Sequence, residues 1–253
     1  MLQSVRTALD IFEQIATHQP IGVSEIARRL KLTKSTVQRC LMTLEAAGWI
    51  HADHTVAAKW SITARVLTLG GRVSSGAQIA SAALPWLHLL REETRETVHL
   101  AVQDGRETVL IERLESPQPV RTYYPVGQRA PMNASATGKA ILAFSSPSVI
   151  NAFLSDDLRA VTPWTIIDPE AFRRELAQIR SRGWSESIGE LTDDTTAIAA
   201  PISNSNGVCI AGISISAPTS RCDETTRARY GLAIVQTAEK ITEQLTGAWR
   251  TFR

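Results

Sequence analysis

The chain has 253 residues, 43% hydrophobic and 21% charged, which is too apolar and too weakly charged for a disordered chain and long enough for two domains or one large one. The most apolar stretch, 82–90, is interrupted by Pro85 and His88, and the first residues run directly into amphipathic sequence, so neither a membrane span nor a signal peptide is expected. Cys40, Cys209 and Cys222 form no C-x-x-C pair, which argues against a disulfide framework or zinc ribbon and fits a reducing cytoplasm.

The net charge of +2 divides unevenly. Residues 1–66 carry eight basic and five acidic side chains, against 19 basic and 20 acidic over the remainder. A positive excess confined to the first quarter fits a polyanion-binding module on a neutral body.

In chain order, Val5, Leu9, Phe12 and Ala16 recur at helical spacing behind Ser4, a candidate N-cap, and predict a helix over 4–18 that Pro20 and Gly22 end. Ser24 is placed to cap a second helix with Ile26, Ala27 and Leu30 inward. After a tight turn at Lys31-Leu32, Thr33 caps a third, whose Val37, Cys40, Leu41 and Leu44 face a core and which Gly48 stops. Residues 49–52 and 59–62 read as short strands around a polar tip at Asp53-His54. Three short helices followed by a hairpin are the order of a winged helix-turn-helix.

The outer face of the third helix carries the chemistry. Ser35, Gln38, Arg39 and Met42 fall at i, i+3, i+4 and i+7, with Lys34 and Thr36 in the first turn. Gln pairs bidentately with adenine and Arg with guanine, while Lys, Ser and Thr reach phosphates beside the positive helix N-terminus. Any amphipathic helix exposes polar residues, so it is the helix order and hairpin that turn the stripe into a DNA-reading surface, with Thr33, Lys34, Ser35 and Thr36 on the backbone and Gln38 and Arg39 on base edges.

A helical linker is expected over 67–77, separating a first domain over 1–66 from a second over 78–253, with a further helix over 84–93 that has Pro85 near its start. Thr97–Val102 alternates at strand period and turns at Asp104-Gly105 into a partner over 107–114. Further strands are predicted over 120–126, 184–191, 197–203 and 208–216, and helices over 135–144, 149–154, 170–182 and 225–245. Strand pairs interrupted by helices make an α+β domain. Ser135-Ala136-Thr137-Gly138 opens a helix with small residues and free N–H groups, where an anion is favoured. Ser214 and Ser216 share one face of a strand whose other face carries Ile213 and Ile215. These serines fit a polar pocket floor or, equally by spacing, close helix packing.

Ser4-Val5-Arg6-Thr7-Ala8-Leu9, Val23-Ser24-Glu25-Ile26-Ala27, the stretch from Leu32 to Arg39, Leu44-Glu45-Ala46-Ala47-Gly48 and the stretch from Ala64 to Gly70 together resemble the N-terminal domain of IclR-type bacterial transcriptional regulators. The stretch from Gly127 to Ala140, Ile179-Arg180-Ser181-Arg182-Gly183-Trp184, Ile198-Ala199-Ala200-Pro201-Ile202 and the stretch from Ile213 to Pro218 are similar to that family's later blocks, so the likeness spans nearly the whole chain. Where the family usually has Tyr-x-Leu-Gly, this chain has Trp60-Ser61-Ile62-Thr63. The resemblance implies a GAF-like C-terminal sensor for a small, often aromatic, organic acid. It adds Thr122, Ala130, Ser187, Thr195 and Ala197 to Ser135, Ala136, Thr137, Gly138, Ser214 and Ser216 as effector contacts. Some family members carry an acidic residue and a cysteine near the positions of Ser187 and Ala197. It also implies self-association to dimers and tetramers on a pseudo-palindromic double-stranded DNA operator.

Other signals fail. Gly138-Lys139 lacks the upstream glycine of a phosphate loop, no G-x-S-x-G elbow exists, and His51, Asp53 and His54 at a hairpin tip read as turn residues rather than a metal site. No cofactor, metal or membrane partner is expected. A small-molecule enzyme would need a base near Ser214 and Ser216, which the sequence does not supply, and a winged-helix protein-interaction module is the other alternative.

Overall fold

A computed structural model describes residues 2–53, 59–70 and 74–247. It divides into two compact units, Met1–Ser74 and Ser75–Arg253, a boundary inside the stretch the sequence assigns to the linker.

The first unit runs α1 (Gln3–His18), β1 (Ile21–Gly22), α2 (Val23–Leu30), α3 (Lys34–Ala46), β2 (Ile50–Asp53), β3 (Lys59–Ile62) and α4 (Arg65–Gly70). Its core is formed by Ile11, Ile15, Ile26, Val37, Leu41, Ile50 and Trp60. The expected inner face of α1 is corrected here: Thr7, Ile11 and Ile15 are buried, whereas Val5 and Leu9 are exposed, because the helix has two apolar stripes and the isoleucines meet α2 and α3. Neither Ser4 nor Ser24 is a cap. Leu2 and Gly22 hold those positions, without a side-chain hydrogen bond. Strand β1 has no periodic signal in two residues; it joins the hairpin through Ile21 opposite Trp60, giving the order β1-β3-β2. His54 and the rest of the hairpin tip lie outside the described residues.

The second unit contains α5 (Ser74–Thr94), β4 (Thr97–Asp104), β5 (Glu107–Leu114), β6 (Arg129–Pro131), α6 (Ala136–Ala143), α7 (Pro147–Leu154), α8 (Pro169–Arg182), β7 (Ser185–Ile188), β8 (Thr195–Ser203), β9 (Cys209–Pro218) and α9 (Glu224–Thr246). Where a break was expected before Pro85, α5 continues, since Ile79, Ala83, Leu87 and Leu90 pack one stripe on the sheet on both sides of the proline. The strand expected over 120–126 does not form. Thr122 is held at the end of the sheet by side-chain bonds, accepting from Thr97 and donating to the Ser216 carbonyl at 3.2 Å each, and β6 pairs with β5 instead.

The six strands form an antiparallel sheet in the order β6-β5-β4-β9-β8-β7. Strand alternation divides it into two chemically different faces. Val98, Leu100, Ile198, Ile202, Ile213 and Ile215 point into a core shared with α5 and α9. Thr97, His99, Ser214, Ser216, Ala197 and Ala199 lie at the alternate positions, the face that α6 partly covers. Gly212 is needed on this face because a Cβ there would come within 2.8 Å of Thr137 Cγ2.

Candidate functional site

Two helix N-termini carry the candidate chemistry. In the first unit Thr33 caps α3, its Oγ1 accepting from Thr36 N at 3.2 Å and lying 3.0 Å and 2.9 Å from the Ser35 and Thr36 hydroxyls. Val37 and Leu41 anchor the inner face. Thr33, Lys34, Ser35, Gln38 and Arg39 are exposed and Thr36 half-buried. Among the described residues the side chains of Lys34, Gln38 and Arg39 enter no hydrogen bond or ion pair, so their donors are available. Met42 completes the stripe at 59% exposure, an apolar group suited to a base edge.

In the second unit the six-stranded sheet and α6 border a cavity of about 620 Å³ including its open mouth. Its occupant is therefore small. Ser135 caps α6, its Oγ accepting from Gly138 N at 3.0 Å, and the orphan N–H groups of Ala136 and Thr137 open the helix beside the cavity. The helix is fixed from below by Ser185 Oγ donating to Ala136 O at 2.6 Å and Ser187 Oγ to Ala134 O at 2.8 Å. Lys139, 1% exposed, reaches Glu190 at 2.5 Å and Glu175 at 3.8 Å. Burial pushes the Glu190 carboxyl up against the opposing pull of Lys139.

Of the effector positions inferred from sequence, Ala130, Ser135, Ala136, Thr137, Ser187, Thr195, Ala197, Ser214 and Ser216 come together on this wall. Thr122 lies instead beside a separate surface depression with Arg121 and Asp194. Gly138 is not on the wall either: a Cβ there would collide with the Met132 backbone, so the glycine permits close packing of α6.

Sequence spacing missed the other side of the cavity. Ala101, Thr108 and Leu110 supply a mostly apolar wall, and Tyr124, Gln128 and Leu191 lie nearer its mouth. Tyr124 is tied across to Thr192 by a 2.7 Å hydroxyl pair. His99 was also missed. It is opposite Ser214 in the register, 5.8 Å from the Tyr124 ring by centroids, and burial, with Arg113 nearby, lowers its pKa to about 4. The signal available was the alternation of Thr97, His99 and Ala101 on one face of a strand.

No helix among the described residues is long and apolar enough to cross a membrane, and no group of metal-binding side chains occurs among them. The IclR helix-turn-helix domain model matches residues 4–54, and the model described as bacterial transcriptional regulator IclR C-terminal matches residues 71–243. The regulator BhcR of Paracoccus denitrificans is 32% identical over 241 residues, covering 95% of this chain and 86% of that protein. Among solved structures, IclR of Thermotoga maritima is similar at 28% identity and a TM-score of 0.80, covering 97% of this chain and 99% of the other. An IclR homologue of Microbacterium hydrocarbonoxydans, complexed with 4-hydroxybenzoate, is similar at 29% identity and a TM-score of 0.80, covering 96% and 98%. The curated relatives are regulators of transcription, which removes the enzyme from the alternatives. With its helix-turn-helix unit and α+β second unit, the chain belongs to the IclR family of bacterial transcriptional regulators.

Proposed function

We propose that the protein binds a specific operator through α3 and that a small organic acid, bound with its carboxylate at the N-terminus of α6, controls that binding. The buried helix opening carries the acid reading. Two orphan N–H groups and the helix dipole face a cavity whose wall, among the described residues, holds no Lys, Arg, Asp or Glu, so a single carboxylate meets donors without a competing charge. The complex of the Microbacterium hydrocarbonoxydans homologue with 4-hydroxybenzoate supports the same ligand class. On the DNA side, Gln38 and Arg39 read base edges and Thr33, Lys34, Ser35 and Thr36 hold the backbone. Two copies present two such helices to a pseudo-palindromic site, and pairing of dimers gives a tetramer.

Fluorescence anisotropy on the DNA upstream of the protein's own gene and on a scrambled duplex, at two salt concentrations, tests this function. Tighter, salt-sensitive binding to the upstream DNA, altered by an added acid, is expected. Arg39→Ala weakens operator binding by about 1–3 kcal/mol and relaxes preference at one base pair, while leaving binding to the scrambled duplex nearly unchanged. Failure to bind either duplex at either salt concentration rejects the DNA reading and favours a protein-interaction module.

A further inference from the structure

Among the described residues, one side-chain polar atom of the cavity wall is buried and unpartnered. His99 is 6% exposed and lines the cavity, yet its Nε2 is buried without a hydrogen-bond partner. A buried polar atom of this kind forfeits its hydrogen bond to water unless an occupant restores it. Its surroundings limit what that occupant can be. Arg113, opposite His99 in the β4–β5 register, has its guanidinium committed to the Tyr124 carbonyl at 2.6 Å and Glu115 at 2.8 Å, and among the described residues no cationic side chain lines the cavity. The imidazole itself is neutral near pH 7, because burial holds its pKa at about 4. A second carboxylate brought to this end would be buried without a counter-charge, a heavy desolvation penalty. A hydroxyl meets no such penalty, and since it both donates and accepts it pairs with Nε2 in either tautomer of the ring.

The register also sets the spacing. The start of α6 is bonded to β7 and also lies over β8 and β9, with Thr137 Cγ2 packed against Gly212 of β9, while His99 lies on β4, next to β9 in the strand order β4-β9-β8-β7. Ser214 and Ser216 on β9 lie between the two. At about 4.8 Å per strand, an acid seated over β8 and β9 reaches His99 after one to two strand spacings, roughly 5–10 Å.

We infer that His99 is a specificity-determining residue that selects a monocarboxylate carrying a hydroxyl at its far end over the corresponding plain acid and over the dicarboxylate. This rests on the assignment of the α6 N-terminus as the carboxylate site. The hydroxyl pairs with Nε2, and Ser214 sits beside it on the adjacent strand. Tyr124 packs against the imidazole and holds it in place.

Isothermal titration of the full-length protein with two matched sets tests the inference: butyrate, 4-hydroxybutyrate and succinate, then benzoate, 4-hydroxybenzoate and terephthalate. In at least one set the hydroxylated acid is expected to bind tenfold or more tightly than the other two. His99→Leu brings the ratio of hydroxylated to plain acid close to one, and His99→Gln, which keeps a donor and an acceptor, restores part of it. Thermal melts of both variants confirm that each is folded. Binding of acids without a hydroxyl preference, a preference unchanged in His99→Leu, or tightest binding of a dicarboxylate overturns the role of His99 and leaves the acid site standing. If none of the six acids binds, the acid site falls and the inference with it.

Discussion

Helices α3 and α6 open in the same way but in opposite surroundings. Each begins at a hydroxyl N-cap, Thr33 or Ser135, that accepts from the N–H three residues on, and each carries a lysine in or next to its first turn. In α3 the capped end is exposed, Lys34 points into solvent, and the helix rests on its core by Val37 and Leu41. In α6 all eight residues are buried and Lys139 is 1% exposed against Glu190. The dipole is the same. What differs is the surrounding dielectric, and with it the ligand that the proposed function gives to each: an exposed end suits an extended polyanion attracted by a screened field, whereas a buried end suits one small charge held by direct hydrogen bonds.

The largest expected effect lies in the two lysines. Lys139→Met leaves Glu190 buried without its cation and destabilises the second unit by about 3–5 kcal/mol, while Lys34→Met changes stability by less than about 0.5 kcal/mol. Because the folded-state pKa of Glu190 is raised, the folded form takes up its proton more readily than the unfolded form, so stability of Lys139→Met recovers as pH falls. Denaturant melts at pH 7.5 and pH 5.5 measure both quantities. A loss under about 1 kcal/mol at pH 7.5 would mean that the two helix openings are not so differently solvated.

A smaller effect isolates the N–H donors. Ala136 is the first residue of α6, where proline is tolerated, and Ser135 before it is already extended at φ −94 and ψ 138. Ala136→Pro removes one N–H that the helix itself does not use. Acid affinity is expected to fall about tenfold or more, with the melting temperature moving by only a few degrees. Unchanged affinity in a calorimetric titration would move the carboxylate away from the helix opening.

Much of this contrast was legible in the sequence. The exposed stripe of α3 follows from 3.6-residue spacing and a threonine cap, both local, and the serines of β9 follow from period-two alternation. The opposite wall of the cavity was only half legible: alternation puts His99 and Ala101 on one face of β4, but that this face, with Thr108 and Leu110, meets the cavity is set by pairing between strands, which no local pattern encodes. Gly138 shows the converse: its place in a recognisable motif suggested ligand contact, while its contact with the Met132 backbone shows a packing role. Local periodicity also misassigned α1, where two apolar stripes compete and only tertiary contact with α2 and α3 decides for Ile11 and Ile15.

Salt separates the two helix openings most directly. Binding of the upstream DNA and of the preferred hydroxy acid would be measured on the same preparation between 50 mM and 200 mM salt. DNA affinity is expected to fall by about 100-fold or more as phosphate contacts release counterions, and acid affinity by less than about threefold, since its charge is met inside the protein. Parallel salt dependence of the two events, or DNA binding indifferent to salt, would contradict the division of labour between α3 and α6.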